Sequence, residues 1–575
     1  MIRNTQIADA FDEIADLLEL QQANPFRVRA YRNAARVLRG MKREAADMLK
    51  SGEALDELPG IGADLAGKIR DVVQTGSTEL LFRLHRALPA GLVALLKVPG
   101  LGPKRVKLLH DRLKISSLQE LKAAIEAGRL EGLKGVGPKI IATVTQSLKT
   151  APKGKARALR ARVAPVVAEL IRHLRRAPGV GRVAVAGSFR RGSETVGDID
   201  ILATARDGAA VIAHFTGYED TTKVLAKGDT RATIVVTGGL QVDLRVVAEE
   251  SYGAALVYFT GSKAHNIAIR GMALKRKLKI NEYGVFRGKR RIAGETEDSV
   301  YAALGLSLPP PELREDRGEI DAAKADRLPQ LVERKDLRGD LHCHTEASDG
   351  EDSLADMAAA ARAAGLEYLA ITDHSQRLAM VHGLDRKRLA RQGDAIDRLN
   401  ATLRGFRILK GIEVDILEDG SLDLPDEALA GLDLVVASIH SHFNLSPERQ
   451  TARLLRALER PYVSILAHPT GRLLGQREGC RYDLERIIAT VKQRGAFLEL
   501  NAQPERLDLD DVHCRTARDA GVLISIASDS HRVGDFDFLA HGVTQARRGW
   551  LRKADVLNTR GLRDLAALLK RTRLR

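Results

Sequence analysis

Six short apolar runs between residues 336 and 575 each end in histidine, aspartate or glutamate, and this regularity restricts the fold more than any other feature of the chain. They are DLHCHTEASDG with His342, His344 and Asp349, LAITDHS with His374, LKGIEVDI with Glu413, LVVASIHSHF with His440 and His442, SILAHPTGR with His468, and ISIASDSH with Asp529 and His531. Helical patterns separate the runs, so strand and helix alternate as in a parallel α/β barrel or a related sheet, which gathers its site at the C-terminal strand ends. In DLHCH the two histidines share one strand face, while Leu341 and Cys343 point into the core. Imidazole with carboxylate suits Zn²⁺, Mn²⁺ or Fe, and nine candidate ligands, with His442 as an extra nearby imidazole, suffice for a cluster of three ions. Ten of the fifteen histidines lie after residue 336.

A second acidic feature lies upstream. In ETVGDIDIL (194–202), Asp198 and Asp200 point to one face of a strand and Ile199 and Ile201 to the other. Such a pair is either a solvated face or a metal site, because adjacent like charges are costly without a cation between them. Asp243 in GGLQVDLRVVA supplies a third carboxylate, with Val242 and Leu244 on the opposite face. Three carboxylates on neighbouring strands can hold two divalent ions for in-line displacement at phosphorus. The turn at Gly187 and Ser188, with Arg191 nearby, can grip a triphosphate.

The first quarter of the chain repeats a motif: ELPGIGADLAGKI at 57, KVPGLGPKRVKLL at 97 and GLKGVGPKIIATV at 132. Gly60 and Gly62, Gly100 and Gly102, and Gly135 and Gly137 permit a tight turn, and the helix that follows aims unpaired N–H groups outward, a phosphate site that reads no base. NPFRVRAYRNAARVLRGMKR (24–43) interleaves Tyr31 with Arg27 and further basic residues, the pattern of a DNA groove. A formal net charge of +16 favours a polyanionic partner, with a membrane surface as the competing reading. The chain shows no apolar run long enough to span a bilayer and no secretory leader at MIRNTQIADAFDEIADLLEL, and its three scattered cysteines fit a reducing cytoplasm.

The repeated glycine motif resembles the helix-hairpin-helix of DNA repair proteins. GSFRRGSETVGDIDIL (187–202) is similar to the palm signature of family X DNA polymerases, the group of DNA polymerase beta. VYFTGSKAHNIAIR (257–270) and INEYGVF (280–286) are similar to that family's thumb. The resemblance implies Mg²⁺, or Mn²⁺, on Asp198, Asp200 and Asp243, with Asp243 also at the primer 3′ hydroxyl. It implies dNTP contacts at Gly187, Ser188, Arg191, Tyr258, Phe259, Gly261 and Asn266, and places Arg270 toward the template minor groove. Lys68 matches the family's lyase lysine, but Asp64 stands where a 5′-phosphate should bind and argues against that activity.

Residues 336–575 resemble the PHP (polymerase and histidinol phosphatase) domain, which implies His342, His344, Asp349, His374, Glu413, His440, His468, Asp529 and His531 as ligands of up to three Mn²⁺ or Zn²⁺ ions. The expected architecture is multidomain α and α/β. A helical N-terminal domain (1–85) and a fingers-type helical domain (86–152) carry the hairpin motifs, and a nucleotidyltransferase palm (153–250) and thumb (251–310) follow. A linker (311–335), marked by its proline run and charge density, precedes a distorted (β/α) barrel (336–575). The implied protein fills short gaps in primed DNA and trims 3′ ends or abasic sites, as a cytoplasmic, nucleoid-associated monomer without a membrane partner. Two alternatives keep one centre each: a nuclease with a polymerase-like DNA platform, and a polymerase with a purely structural PHP domain.

Overall fold

The computed structural model describes residues 4–573 except 22, 42, 59, 76–77, 88–94, 97, 99–100, 131–132, 134–135, 138–139, 142, 146–156 and 378–380. The chain forms two compact units, residues 1–156 and 157–575.

The first unit is helical. Its first two helices, α1 (Asn4–Leu20) and α2 (Pro25–Gly40), are joined at Asn24, whose side chain caps α2 by accepting from Phe26 N at 2.9 Å, with Pro25 fitting the first helical position. Ile7, Phe11 and Ile14 of α1 meet Val28, Tyr31, Ala35 and Leu38 of α2 in one core. Tyr31 corrects the expectation of an aromatic in a DNA groove: it is 1% exposed and its ring lies edge-on to Phe11 at 5.5 Å. Three arginines of the same stretch are also ion-paired within the unit, Arg32 with Asp12 and Asp16, Arg39 with Asp9 and Asp12, and Arg43 with Glu53. Arg27 remains exposed. At the first hairpin motif Gly60 has φ +83, and helix Ala63–Thr75 begins just after Gly62. Lys68 on that helix is ion-paired with Asp64. Gly102 is the N-cap of helix Pro103–Leu113. Gly137 is described, whereas Gly100, Gly135 and Lys42 lie outside the described residues.

The second unit contains a five-stranded mixed sheet, a thumb of helices and a small antiparallel sheet, and a barrel. The palm strands are β1 (Val180–Val185), β2 (Asp198–Ala205), β3 (Thr221–Lys227), β4 (Arg231–Val236) and β5 (Gln241–Val247), in the order β1-β2-β5-β4-β3. The parallel ladder of β2 and β5 sets Asp200 opposite Asp243. Ile199, Ile201, Val242 and Leu244 fill the core on the other face, as the alternation requires.

The expected linker is a packed segment. Arg314, 1% exposed, donates to Glu297 Oε1 at 2.5 Å and the Pro309 carbonyl at 2.9 Å, and fully buried Glu319 pairs with His265 Nδ1 at 2.6 Å. Two of the segment's charges, Arg314 and Glu319, are therefore buried against partners outside it, while Asp316, Asp321, Lys324, Asp326 and Arg327 stay exposed.

The barrel strands are β6 (Gly339–Asp340), β7 (Tyr368–Ile371), β8 (Arg407–Lys410), β9 (Glu413–Asp415), β10 (Val436–Ser438), β11 (Ile465–Leu466), β12 (Phe497–Asn501) and β13 (Ile524–Ala527), every paired neighbour parallel. Parallel bridges from Cys343 to Ser530 and from His374 to Glu413 join the two sheets into a ring. The chain bends between β8 and β9 at Gly411, where a Cβ would stand 2.9 Å from the Ile371 carbonyl. All three cysteines are buried and unpaired with one another. Among the described residues, no helix is long and apolar enough to cross a membrane.

Candidate active sites

In the palm, β2 presents Asp198 and Asp200 on one face, and β5 adds Asp243 across the ladder. Asp243 is oriented by its own partners, accepting from Thr233 Oγ1 at 2.6 Å and Gln241 Nε2 at 2.7 Å, with Arg231 at 3.6 Å. Burial, and after it Asp198 and Asp243, push Asp200 up to about 6. The turn is closed directly against this carboxylate: Gly187 has φ +62, and a Cβ there would lie 2.4 Å from Asp200 Oδ2. Arg191 donates from Nε to Glu315 at 2.9 Å and from Nη1 to the Thr260 carbonyl at 2.8 Å.

The thumb residues converge where helix Tyr252–Thr260 ends and helix Lys263–Lys275 begins. Asn266 Nδ2 donates to the carbonyls of Tyr258 at 2.7 Å and Gly261 at 3.1 Å. Tyr258 and Phe259 stand edge to face, with Arg270 over Tyr258 at 4.9 Å and Arg245 over Phe259 at 4.6 Å. This helix-to-helix turn, with two aromatics, a side-chain amide and cations, forms the wall beside the acidic face.

The barrel brings its ligand types together at the C-terminal strand ends. Among the described residues, three groups place ligand atoms within 4.8 Å of one another: His344, Asp349, His374 and His531; His342, His344 and Asp529; His374, Glu413 and His440. The ninth residue, His468, reaches Glu413 Oε1 at 2.9 Å through Nε2. His468 (φ 26) and Asp529 (φ 52) adopt the left-handed backbone region, conformational cost concentrated at a site. The palm trio does not form so closed a group, since three carboxylates repel one another and Asp243 has neutral and cationic partners of its own.

Donor chemistry in the barrel fits divalent ions. His342 Nε2, both ring nitrogens of His344, His374 Nδ1, His468 Nδ1 and Glu413 Oε2 are buried without a hydrogen bond, an arrangement that a bound cation would satisfy. Burial, then His531 and His374, push His344 down to about 3. Against the burial that lowers it, His374 is pushed up to about 10 by Glu413 and Asp349.

Three further residues, which the strand-end pattern does not single out, orient this cluster. Buried Glu499 on β12 pairs with His342 Nδ1 at 2.6 Å and accepts from His468 N at 2.7 Å. Asp415 lies 3.3 Å from His440 Nδ1, and Asn501 Nδ2 donates to Asp529 at 2.8 Å. A carboxylate in the fully buried strand FLELN was the available signal. Glu499→Gln is expected to lower 3′ degradation by about ten- to a hundredfold, because second-layer carboxylates fix imidazole tautomer and direction. Degradation of an end-labelled strand and elemental analysis of bound metal check this, with primer extension unchanged.

Fold and sites together define a polymerase-beta-type nucleotidyltransferase joined to a metal-dependent phosphoesterase barrel. Family models agree along the chain: helix-hairpin-helix domain at 2–78, SAM-like helix-hairpin-helix tandem at 92–150, DNA polymerase beta palm at 152–253, DNA polymerase beta thumb at 255–315 and PHP domain at 340–503. The chain belongs to the family of the DNA polymerase/3′-5′ exonuclease PolX of Bacillus subtilis (strain 168), to which it is 39% identical over 97% of its own length and 98% of that protein. The barrel half is also similar to a probable phosphatase of Thermoanaerobacter sp. (strain X514), 30% identical over 38% of this chain and 89% of that protein, and to one of Acetivibrio thermocellus, 34% identical over 34% and 82%.

Proposed function

We propose that the protein is a DNA polymerase of family X with a 3′-5′ exonuclease in its PHP barrel, acting at short gaps in primed DNA. The observation that carries the polymerase reading is the Gly187 turn closed against Asp200 with Asp243 across the ladder. Asp198, Asp200 and Asp243 would hold divalent cations, Mg²⁺ or Mn²⁺, whose chemistry there would be charge neutralisation at the dNTP triphosphate and acidification of the primer 3′ hydroxyl. The turn's backbone, Ser188 and Arg191 bind the triphosphate, while Tyr258, Phe259, Gly261 and Asn266 shape the sugar and base pocket. Arg270 faces the template strand, and Asp243 orients the attacking hydroxyl. Positioning, not covalent chemistry, carries this reaction.

In the barrel, the nine-residue set would hold up to three Mn²⁺ or Zn²⁺ ions, whose chemistry there would be Lewis acidity toward a phosphodiester and water. Glu499, Asp415 and Asn501 keep the ligands directed. The glycine turns of the first unit, with Arg27 and Lys68, hold the DNA backbone irrespective of sequence. The Lys68–Asp64 pair supports leaving lyase chemistry out of the reading. Abasic-site or 3′-end processing, the cytoplasmic and nucleoid setting and the monomeric state belong to the same proposal.

A one-nucleotide gapped duplex tests it. With dNTPs and Mg²⁺ or Mn²⁺ the purified chain should add one nucleotide; without dNTPs it should shorten the 3′ end, and a chelator should stop both. A chain that binds the duplex but does neither overturns the reading.

A further inference from the structure

The palm's phosphate turn rests on the barrel. Gly192 (φ +71) lies so close to helix Leu539–Arg548 that a Cβ would stand 2.3 Å from Thr544 Cγ2. Two residues further on, Glu194 takes Arg472 and Gln545, both from the barrel. On the other side, Arg548 donates from Nη1 to the Arg191 carbonyl at 2.9 Å and to Glu315 Oε1 at 3.0 Å, and from Nη2 to Asp511 at 2.8 Å.

Glu315 is the junction. Its Oε1 accepts from both Arg191 Nε at 2.9 Å and Arg548 Nη1, and Arg317 closes the series on Asp511 at 2.8 Å. The charges alternate in sign from Arg191 to Arg317, so each buried group has an opposite neighbour. Arg548 is 8% exposed, and the side chains of Glu315 and Arg191 are 15% and 14% exposed, so solvent screens these contacts little. Glu315 and the Thr260 carbonyl together fix the plane of the Arg191 guanidinium. Arg191 is itself close enough to Asp200 to oppose the upward shift there.

We propose that Glu315 and Arg548 are positioning residues for polymerisation: they hold Arg191 at the triphosphate, so the barrel contributes to nucleotide binding through a contact separate from its metal cluster. This rests on the reading of Arg191 as a triphosphate ligand. An arginine fixed before binding loses less freedom when the anion arrives, and its contact with non-reacting phosphates acts on KM more than on kcat. Neutralising Glu315 leaves two guanidiniums facing each other across an amide, and Arg191 moves away.

The test is gap filling by the full chain carrying Glu315→Gln, Arg191→Lys, both, or Arg548→Lys, with 3′ degradation measured on the same preparations. Glu315→Gln should raise the dNTP KM about tenfold, with kcat within about threefold and degradation unchanged. In the Arg191→Lys background the same change should add less than about twofold, because its effect passes through that arginine. Arg548→Lys, which keeps a cation on Glu315, should raise KM by less than about threefold. If Arg191→Lys raises KM and Glu315→Gln does not, the positioning role is wrong while the triphosphate reading stands. If Arg191→Lys leaves KM unchanged, both fall. A Glu315→Gln effect of equal size in both backgrounds, or an equal loss of both activities with a lower Tm, overturns the proposal in favour of a general structural role.

Discussion

Replacing Asp198 and Asp200 by alanine is expected to abolish primer extension on a gapped duplex, a loss on the order of a thousandfold or more, while 3′ degradation continues at the unaltered rate. The two carboxylates lie on one face of β2, and Asp243 alone across the ladder leaves too few ligands for a pair of cations. Loss of activity through unfolding is separable from loss of chemistry. Burial and the neighbouring carboxylates hold Asp200 up to about 6, above the 3.8 of a free aspartate, so its ionised form costs the cation-free fold stability. That cost is absent below about pH 4 and grows as pH rises through 6. Asp200→Asn should therefore raise Tm at pH 8 in chelator while abolishing extension. A variant that still extends primers removes the palm assignment, and one that loses both activities with a lower Tm points to misfolding instead.

Much of this arrangement is legible in the sequence because local periodicity dictates it. Alternation of Asp198, Ile199, Asp200 and Ile201 requires one acidic and one apolar face, and β2 has both. The strand-end histidines converge because a closed parallel barrel has one C-terminal rim, wherever the strands fall in the chain. What sequence does not carry is pairing over distance. Tyr31 among arginines reads the same whether it faces DNA or Phe11, and the choice is made by the apolar stripe of α1. Residues 311–335 read as a solvated connector because Glu297, His265 and Arg548, the partners of Arg314, Glu319 and Glu315, lie elsewhere in the chain. The pair of Glu194 with Arg472 spans 278 residues and leaves no local signal.

Replacing His342 and His344 by alanine should produce the converse loss. Both side chains are 1% exposed or less, and His344 takes part in two of the three ligand groups, so its removal opens both. His342 joins Asp529 in one group and lies 3.4 Å from Glu413, which belongs to another. Bound metal should therefore fall, and 3′ degradation should drop by at least about a hundredfold, since each ligand shapes more than one position. The substitutions also leave cavities and deprive Asp529 of an imidazole at 3.1 Å, a combined cost of several kcal/mol. Extension is the internal control: Arg548, Gln545 and Arg472, which touch the palm turn, are not among the ligands, so dNTP KM should stay within about twofold. If degradation persists after the metal is gone, the nuclease lies outside this cluster. If extension falls with degradation while the protein stays folded, the metal cluster itself, and not only the charge contact at Glu315, supports the palm.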